Sequence, residues 1–109
     1  MENSTAKEGK NMAIISYITI IGTIIAMSMN ATPKNDFARF HIRQSLGIHI
    51  SFYIIGLLIS QFDSWLISIG FYIFYIVLWV YGISGAIQER KTIIPLLGNQ
   101  FQKWFSFIK

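Results

Sequence analysis

The sequence has no cysteine and only two prolines in 109 residues, and charged residues make up 13% of it. That is about half the roughly 25% usual for soluble domains. Without cysteine there is no disulfide framework, thiolate nucleophile or thiolate-bound metal. Acids are few as well. Glu2, Glu8, Asp36, Asp63 and Glu89 all stand outside the apolar runs and show no pairing in the sequence, so the coupled carboxylates of general acid–base chemistry are missing. There is no Gly-x-Ser-x-Gly element and no glycine-rich phosphate loop. The chain is expected not to be an enzyme.

Between Arg43 and Glu89 the only charged side chain is Asp63. It divides the interval into two apolar runs, residues 44–62 and 64–88, each near the roughly 20 residues that a membrane-spanning helix requires. A third run, residues 12–29, precedes them. Hydrophobic residues reach 53% and aromatics 16%. Such runs suit lipid, because a helix satisfies its own backbone hydrogen bonds where water is absent. The expected fold is therefore all-α: an integral membrane protein of three transmembrane helices and a C-terminal amphipathic interfacial helix, in one membrane domain over 1–109.

The segments follow from local signals. Residues 1–11 are a polar, loosely ordered N-terminus, and 12–29 form the first span. Eighteen apolar residues exceed the roughly 7–15 of a signal-peptide core, so this run is read as a retained span. Within it Ser16, Thr19, Thr23 and Ala26 recur at helical spacing as a small, mildly polar face for close helix packing. Residues 30–35, with Pro33, form a loop, and Asn35 or Asp36 can cap the next helix. Residues 36–62 make an interfacial turn and second span. Gln61 to Ser64 is a tight turn, so spans two and three form an antiparallel hairpin, the third covering 65–87. Residues 88–109 are a basic, amphipathic tail. In it Phe101, Trp104, Phe105 and Ile108 share one face, opposite Gln102, Lys103, Ser106 and Lys109. Trp65, Lys103, Trp104 and Phe105 are the expected lipid-interface residues.

The net charge is +4, but the cations sit at the ends of the apolar runs and not in one stripe. That placement fits anionic lipid headgroups and topology signals rather than nucleic acid. Three spans would put 1–11 and the Asp63 turn on one side, and loop 30–45 and the tail on the other. Seven Lys and Arg against two make the loop and the C-terminus cytoplasmic, in a multi-pass protein of a bacterial inner membrane.

The polar groups closest to lipid lie at the start of the second span. On a helix His41, Ser45, His49, Gly56 and Ser60 share a face, with Gln44 and Tyr53 at its edges, while Arg43 points elsewhere. Interhelical hydrogen bonding is the leading reading of this face. The alternative is a small oligomeric channel or carrier using His41 and His49, since histidine titrates near neutral pH. The two histidines are about 12 Å apart along a helix and cannot share one ion, so no metal or cofactor is expected.

The element Phe37-Ala38-Arg39-Phe40-His41-Ile42-Arg43-Gln44-Ser45-Leu46, with Ala86, Arg90-Lys91 and Pro95-Leu96-Leu97-Gly98 after the last span, resembles a bacterial family of small membrane proteins. That family is similar to the small membrane component of the chloroplast inner-envelope Tic import machinery. The resemblance makes Phe40, His41, Arg43, Gln44, Pro95 and Gly98 signature positions, with His49 on the same helix. It implies a non-enzymatic scaffold or accessory subunit of a membrane complex, related to protein translocation. The expected partners are membrane lipids and other membrane subunits or further copies of the chain.

Overall fold

The second half of the first apolar run contains Thr19, Gly22 and Thr23, and there the chain reverses. The computed structural model describes residues 2–31 and 35–108. Helix α1 spans Glu2–Ile18 and α2 spans Ile20–Met29. Between them Thr19 is extended (φ −150°, ψ 172°), and its Oγ1 accepts the Gly22 N–H at 3.1 Å to cap α2. The Thr23 hydroxyl reaches back to the Ser16 carbonyl at 2.7 Å. A Cβ on Gly22 would stand 2.1 Å from the Ile15 carbonyl oxygen, so only glycine lets the two helices meet this closely.

In one continuous helix Met12 and Ala26 would be about 21 Å apart. Instead Met12 packs on the cluster that contains Ala26, and Asn35, beyond the end of α2, donates from Nδ2 to the Thr5 carbonyl at 2.9 Å. Residues 12–29 are therefore a hairpin of two short helices, not a span. At ten residues, α2 is about 15 Å long, half a hydrocarbon core. The expected loose N-terminus is helical from Glu2. Ala6, Gly9 and Ala13 face inward there, and small side chains let α1 lie close to its neighbours. Pro33 and Lys34 of the expected loop, and Lys109 of the tail, lie outside the described residues.

Two helices are long and apolar enough to cross a membrane, α3 (Asp36–Ile59) and α4 (Trp65–Ile87). The expected three spans are thus corrected to two. Asn35 caps α3, its Oδ1 accepting the Ala38 N–H at 2.9 Å, and Asp36 in the first turn pairs with Arg39 and Lys91. Ser64 caps α4 through the Ile67 N–H. The far halves of α3 and α4 are joined by stacked Phe52 and Phe71, centroids 5.2 Å apart, and by Tyr75 Oη donating to Ser51 Oγ at 3.0 Å. Helix α4 ends in a Schellman turn: the Arg90 N–H bonds the Gly85 carbonyl and the Glu89 N–H the Ala86 carbonyl. Glu89 takes the left-handed conformation there (φ 60°).

The tail returns over α3. Helix α5 (Gly98–Trp104) seats Phe101 where Gly47 leaves room, since a Cβ on Gly47 would lie 2.2 Å from the Phe101 ring. Phe101 and Ile108 are buried, while Trp104 is 62% exposed. The expected apolar face is thus divided between contact with α3 and the outside. Among the described residues there is no strand.

The hairpin changes which residues share an end. Lys10 approaches Glu89 (3.8 Å), and Thr5 meets Asn35, so the start of α1, the start of α3, the end of α4 and the tail lie together. Residues 1–11 were expected beside the Asp63 turn, and the described part of that segment is at the opposite end. Every Lys and Arg among the described residues sits at this one end. The other end carries the Gln61–Ser64 turn with Asp63. Around the molecule, Leu57, Leu66, Ile73 and Ile76 are more than half exposed. In water each would forgo roughly 1.5–3 kcal/mol of burial, so this surface is built for an apolar surrounding.

Candidate functional site

The richest polar cluster lies where α1, the first two turns of α3 and the segment after α4 converge. Asn35 starts α3 so that Phe37, His41 and Gln44 point inward, three and four residues apart on one face. His41 and Gln44 are fully buried, as is Tyr17 from α1. The Gln44 carboxamide is used on every side. Its Nε2 donates to Tyr17 Oη at 2.8 Å and to the Thr92 carbonyl at 3.0 Å, and its Oε1 accepts the Ile94 N–H at 2.9 Å. His41 Nε2 contacts the Arg90 carbonyl at 2.8 Å and its Nδ1 contacts Tyr17 Oη at 2.6 Å. A carbonyl only accepts, so Nε2 carries the proton and Nδ1 accepts from the Tyr17 hydroxyl. That is the neutral ring. Tyr17, Phe37 and Phe40 surround it edge-on at 4.7–5.4 Å.

Every group of this knot thus has a partner. Among the described residues no buried side-chain nitrogen or oxygen lacks one. The knot holds the chain from Arg90 to Ile94 against α3 through its backbone, which needs no particular side chains in that segment. Gly98 completes the arrangement: a Cβ there would sit 2.4 Å from Ile93 Cγ2 and 3.2 Å from Gln44 Oε1. Pro95 precedes a tight turn in which the Leu97 N–H bonds the Pro95 carbonyl, with Leu96 at φ 68°.

The remaining expected site residues have separate places. Arg43 does not extend away from the protein. Its Nε and Nη2 donate to the Ile108 carbonyl at 3.0 and 2.7 Å, and Nη2 also to the Ser106 carbonyl at 3.1 Å. The Phe40 carbonyl accepts from Gln102 Nε2 at 2.8 Å. His49 is apart from the knot and donates from Nε2 to the Ser16 carbonyl at 3.3 Å. Trp65 stands at the far end, 74% exposed. Lys103 and Trp104 face outward, and Phe105 packs beside Ile108.

Tyr17 and Trp79 are the residues the sequence reading missed. Trp79 Nε1 donates to the Tyr17 carbonyl at 2.5 Å. Trp79 and His49 thereby bind carbonyls that α1 leaves unpaired where it breaks. A tyrosine and a tryptophan in the middle of apolar runs are the available signal, because each carries a polar tip that seeks a partner when buried. Of the polar face proposed for a carrier, His41, Gln44 and Ser45 are buried, His49 and Gly56 are partly buried, and Tyr53 and Ser60 are exposed.

Neither a curated protein nor a solved structure matches this sequence. A protein-family model does match, over residues 8–101, and its description is the magnetosome magnetite crystal formation protein family, MamF/MmsF. The matched range includes α1 from residue 8 onward, α2, both long helices and all the residues of the knot. This overturns the resemblance to the Tic import component, and with it the link to protein translocation. The elements around His41 and Pro95 that suggested that resemblance are the two sides of the knot. The chain belongs to the magnetosome magnetite crystal formation protein family.

Proposed function

We propose that this chain is a non-enzymatic integral protein of the magnetosome membrane, acting in magnetite crystal formation by shaping and organising that membrane. The observation that carries this reading is the one-ended body. Five helices and all the described cations gather at one end, while only α3 and α4 reach the other. In a bilayer the basic end lies in the cytoplasmic leaflet, with Trp104 at that interface and Trp65 at the opposite one. The hairpin α1–α2 enters and leaves the same leaflet, widening the protein there. A body wide in the cytoplasmic leaflet and narrow in the other fits a membrane curved around a small closed compartment. The compartment side presents little beyond the Gln61–Ser64 turn, one carboxylate per chain. Contact with mineral would therefore depend on many copies, and partners or copies are expected in the plane of the membrane.

Orientation is the decisive test, and the absence of native cysteine makes it direct. Ser64→Cys and Ser106→Cys variants are exposed to a membrane-impermeant maleimide on intact, purified magnetosomes. The expected result is labelling of Ser106→Cys alone until detergent is added. Labelling of Ser64→Cys on intact vesicles would reverse the orientation, and release of the chain by alkaline carbonate would end the membrane reading.

A further inference from the structure

The chain just after α4 folds against the last turn of that helix, with Thr92 beside Gly85. A groove of about 490 Å³ runs from there along α4, within the roughly 300–1,000 Å³ of small-molecule sites. One part is walled by Ile76, Val77 and Val80, the other by Ser84, Gln88 and Arg90. From Ile76 to Gln88 the helix advances about 18 Å. Polarity therefore changes once along the groove, from apolar at mid-helix to polar and cationic at the basic end.

Arg90 distinguishes this groove from the rest of the apolar surface. Arg39 and Lys91 are paired with Asp36, Lys10 with Glu89, and Arg43 with tail carbonyls, while Lys7 and Lys103 are exposed elsewhere and do not line the groove. The Arg90 side chain is exposed and has no partner among the described residues. Its backbone is fixed from both sides, the N–H by Gly85 and the carbonyl by His41. The result is an unspent guanidinium on a rigid mount, above a strip of β-branched side chains.

We propose that this groove binds one anionic phospholipid, its phosphate on Arg90 and one acyl chain along Ile76, Val77 and Val80. The proposal rests on the membrane reading above. A guanidinium fork matches phosphate oxygens in pairs, Gln88 and Ser84 lie at the level of the glycerol esters, and the apolar strip takes the chain. A second copy fits less well. Copies share one orientation in a membrane, so another α4 in the groove would bring its own basic end against Arg90.

The test uses the full chain purified in mild detergent and native mass spectrometry, titrating phosphatidylglycerol and phosphatidylcholine with identical acyl chains. One phosphatidylglycerol should be retained at least tenfold better than phosphatidylcholine. Arg90→Gln should remove the preference, and Val80→Trp should remove both adducts, with circular dichroism unchanged. Equal retention of the two lipids, an Arg90→Gln variant that keeps the preference, binding of inorganic phosphate alone, or a dimer dissolved by Val80→Trp would each overturn the assignment. Carbonate extraction separates the two failures: a chain that stays in the membrane yet shows no lipid preference loses the groove and keeps the membrane reading.

Discussion

Tyr17→Phe removes one oxygen atom and preserves the shape of a fully buried ring. That oxygen accepts from Gln44 and donates to His41, so its loss leaves one amide N–H and one imidazole nitrogen without partners. Each unpaired buried group costs about 1–3 kcal/mol. Hydrogen bonds measured between membrane helices average only about 0.6 kcal/mol, because the unfolded chain in lipid also finds partners. Two such bonds would set a floor of about 1.2 kcal/mol. The first figure should prevail, since His41 and Gln44 are wholly inaccessible and no solvent can replace the hydroxyl. The expected loss is about 2–6 kcal/mol, roughly 30- to 25,000-fold in the folding equilibrium. Reversible unfolding in bicelles measures it. Trypsin cleavage after Arg90 and Lys91 reports the knot itself and should accelerate as the segment detaches. In a Gln44→Leu background the same substitution should cost less, because only the imidazole is then orphaned. A Tyr17→Phe change below about 0.5 kcal/mol, or strict additivity with Gln44→Leu, would refute the network.

Three glycine substitutions and one glutamate probe the rest of the packing. A Cβ on Gly82 would lie 2.6 Å from Tyr17 Cε1, and that ring is pinned through its hydroxyl, so Gly82→Ala should cost about 1–3 kcal/mol. Gly70 faces open space, with nothing within 4 Å of its Cβ position. Gly70→Ala should therefore stabilise by about 0.5–1 kcal/mol, and thermal unfolding in detergent distinguishes the two. Glu89→Gly relieves a left-handed residue worth about 1–2 kcal/mol but gives up the half-exposed pair with Lys10, worth about 0–1 kcal/mol. A net gain of about 0–2 kcal/mol is expected in the same assay, and a net loss would mean that the Lys10 pair dominates. Gly47→Ala should push Phe101 out of its seat and release α5, read as faster tryptic cleavage after Lys103 with the α3–α4 hairpin intact.

The parts legible in the sequence were those fixed by local chemistry. A cap at Asn35 or Asp36, which the structure places at Asn35, the tight turn at Asp63, the two long runs around it and a helix in the tail all follow from short-range patterns. The hairpin at Thr19 did not. Eighteen apolar residues satisfy every length and composition criterion for a span, and the break is paid for by atoms distant in sequence, the Nε2 of His49 and the Nε1 of Trp79. Gly22 and the flanking threonines are the local trace of it. Ser16, Thr23 and Ala26 are buried in helix packing as expected, but Thr19 and Thr23 also make the reversal between α1 and α2, which the spacing alone did not reveal. From that single difference came the misplaced N-terminus. The family was misjudged for a related reason. The Phe-His-x-Arg-Gln element and the Pro-Leu-x-Gly element hold α3 and the tail together, and a packing solution of that kind says little about what the assembled protein acts upon.

The uneven distribution of polar contacts has a consequence for how the molecule behaves in a membrane. At the basic end, hydrogen bonds from Tyr17, His41, Arg43, Gln44 and Gln102 connect four segments of chain. At the other, α3 and α4 have each other, through Phe52, Phe71 and Tyr75, and, in the placement proposed above, lipid. Their backbones cannot unravel there, because an unpaired amide in hydrocarbon has no alternative partner. Their separation is held only by contacts among aromatic rings and small residues such as Gly56, whose Cβ position meets Phe71 at ordinary van der Waals distance. The far end therefore has fewer polar ties than the basic end. In the orientation proposed above, the reversal at Thr19 would tie the protein firmly in one leaflet and loosely in the other, an asymmetry that a membrane-shaping role would use.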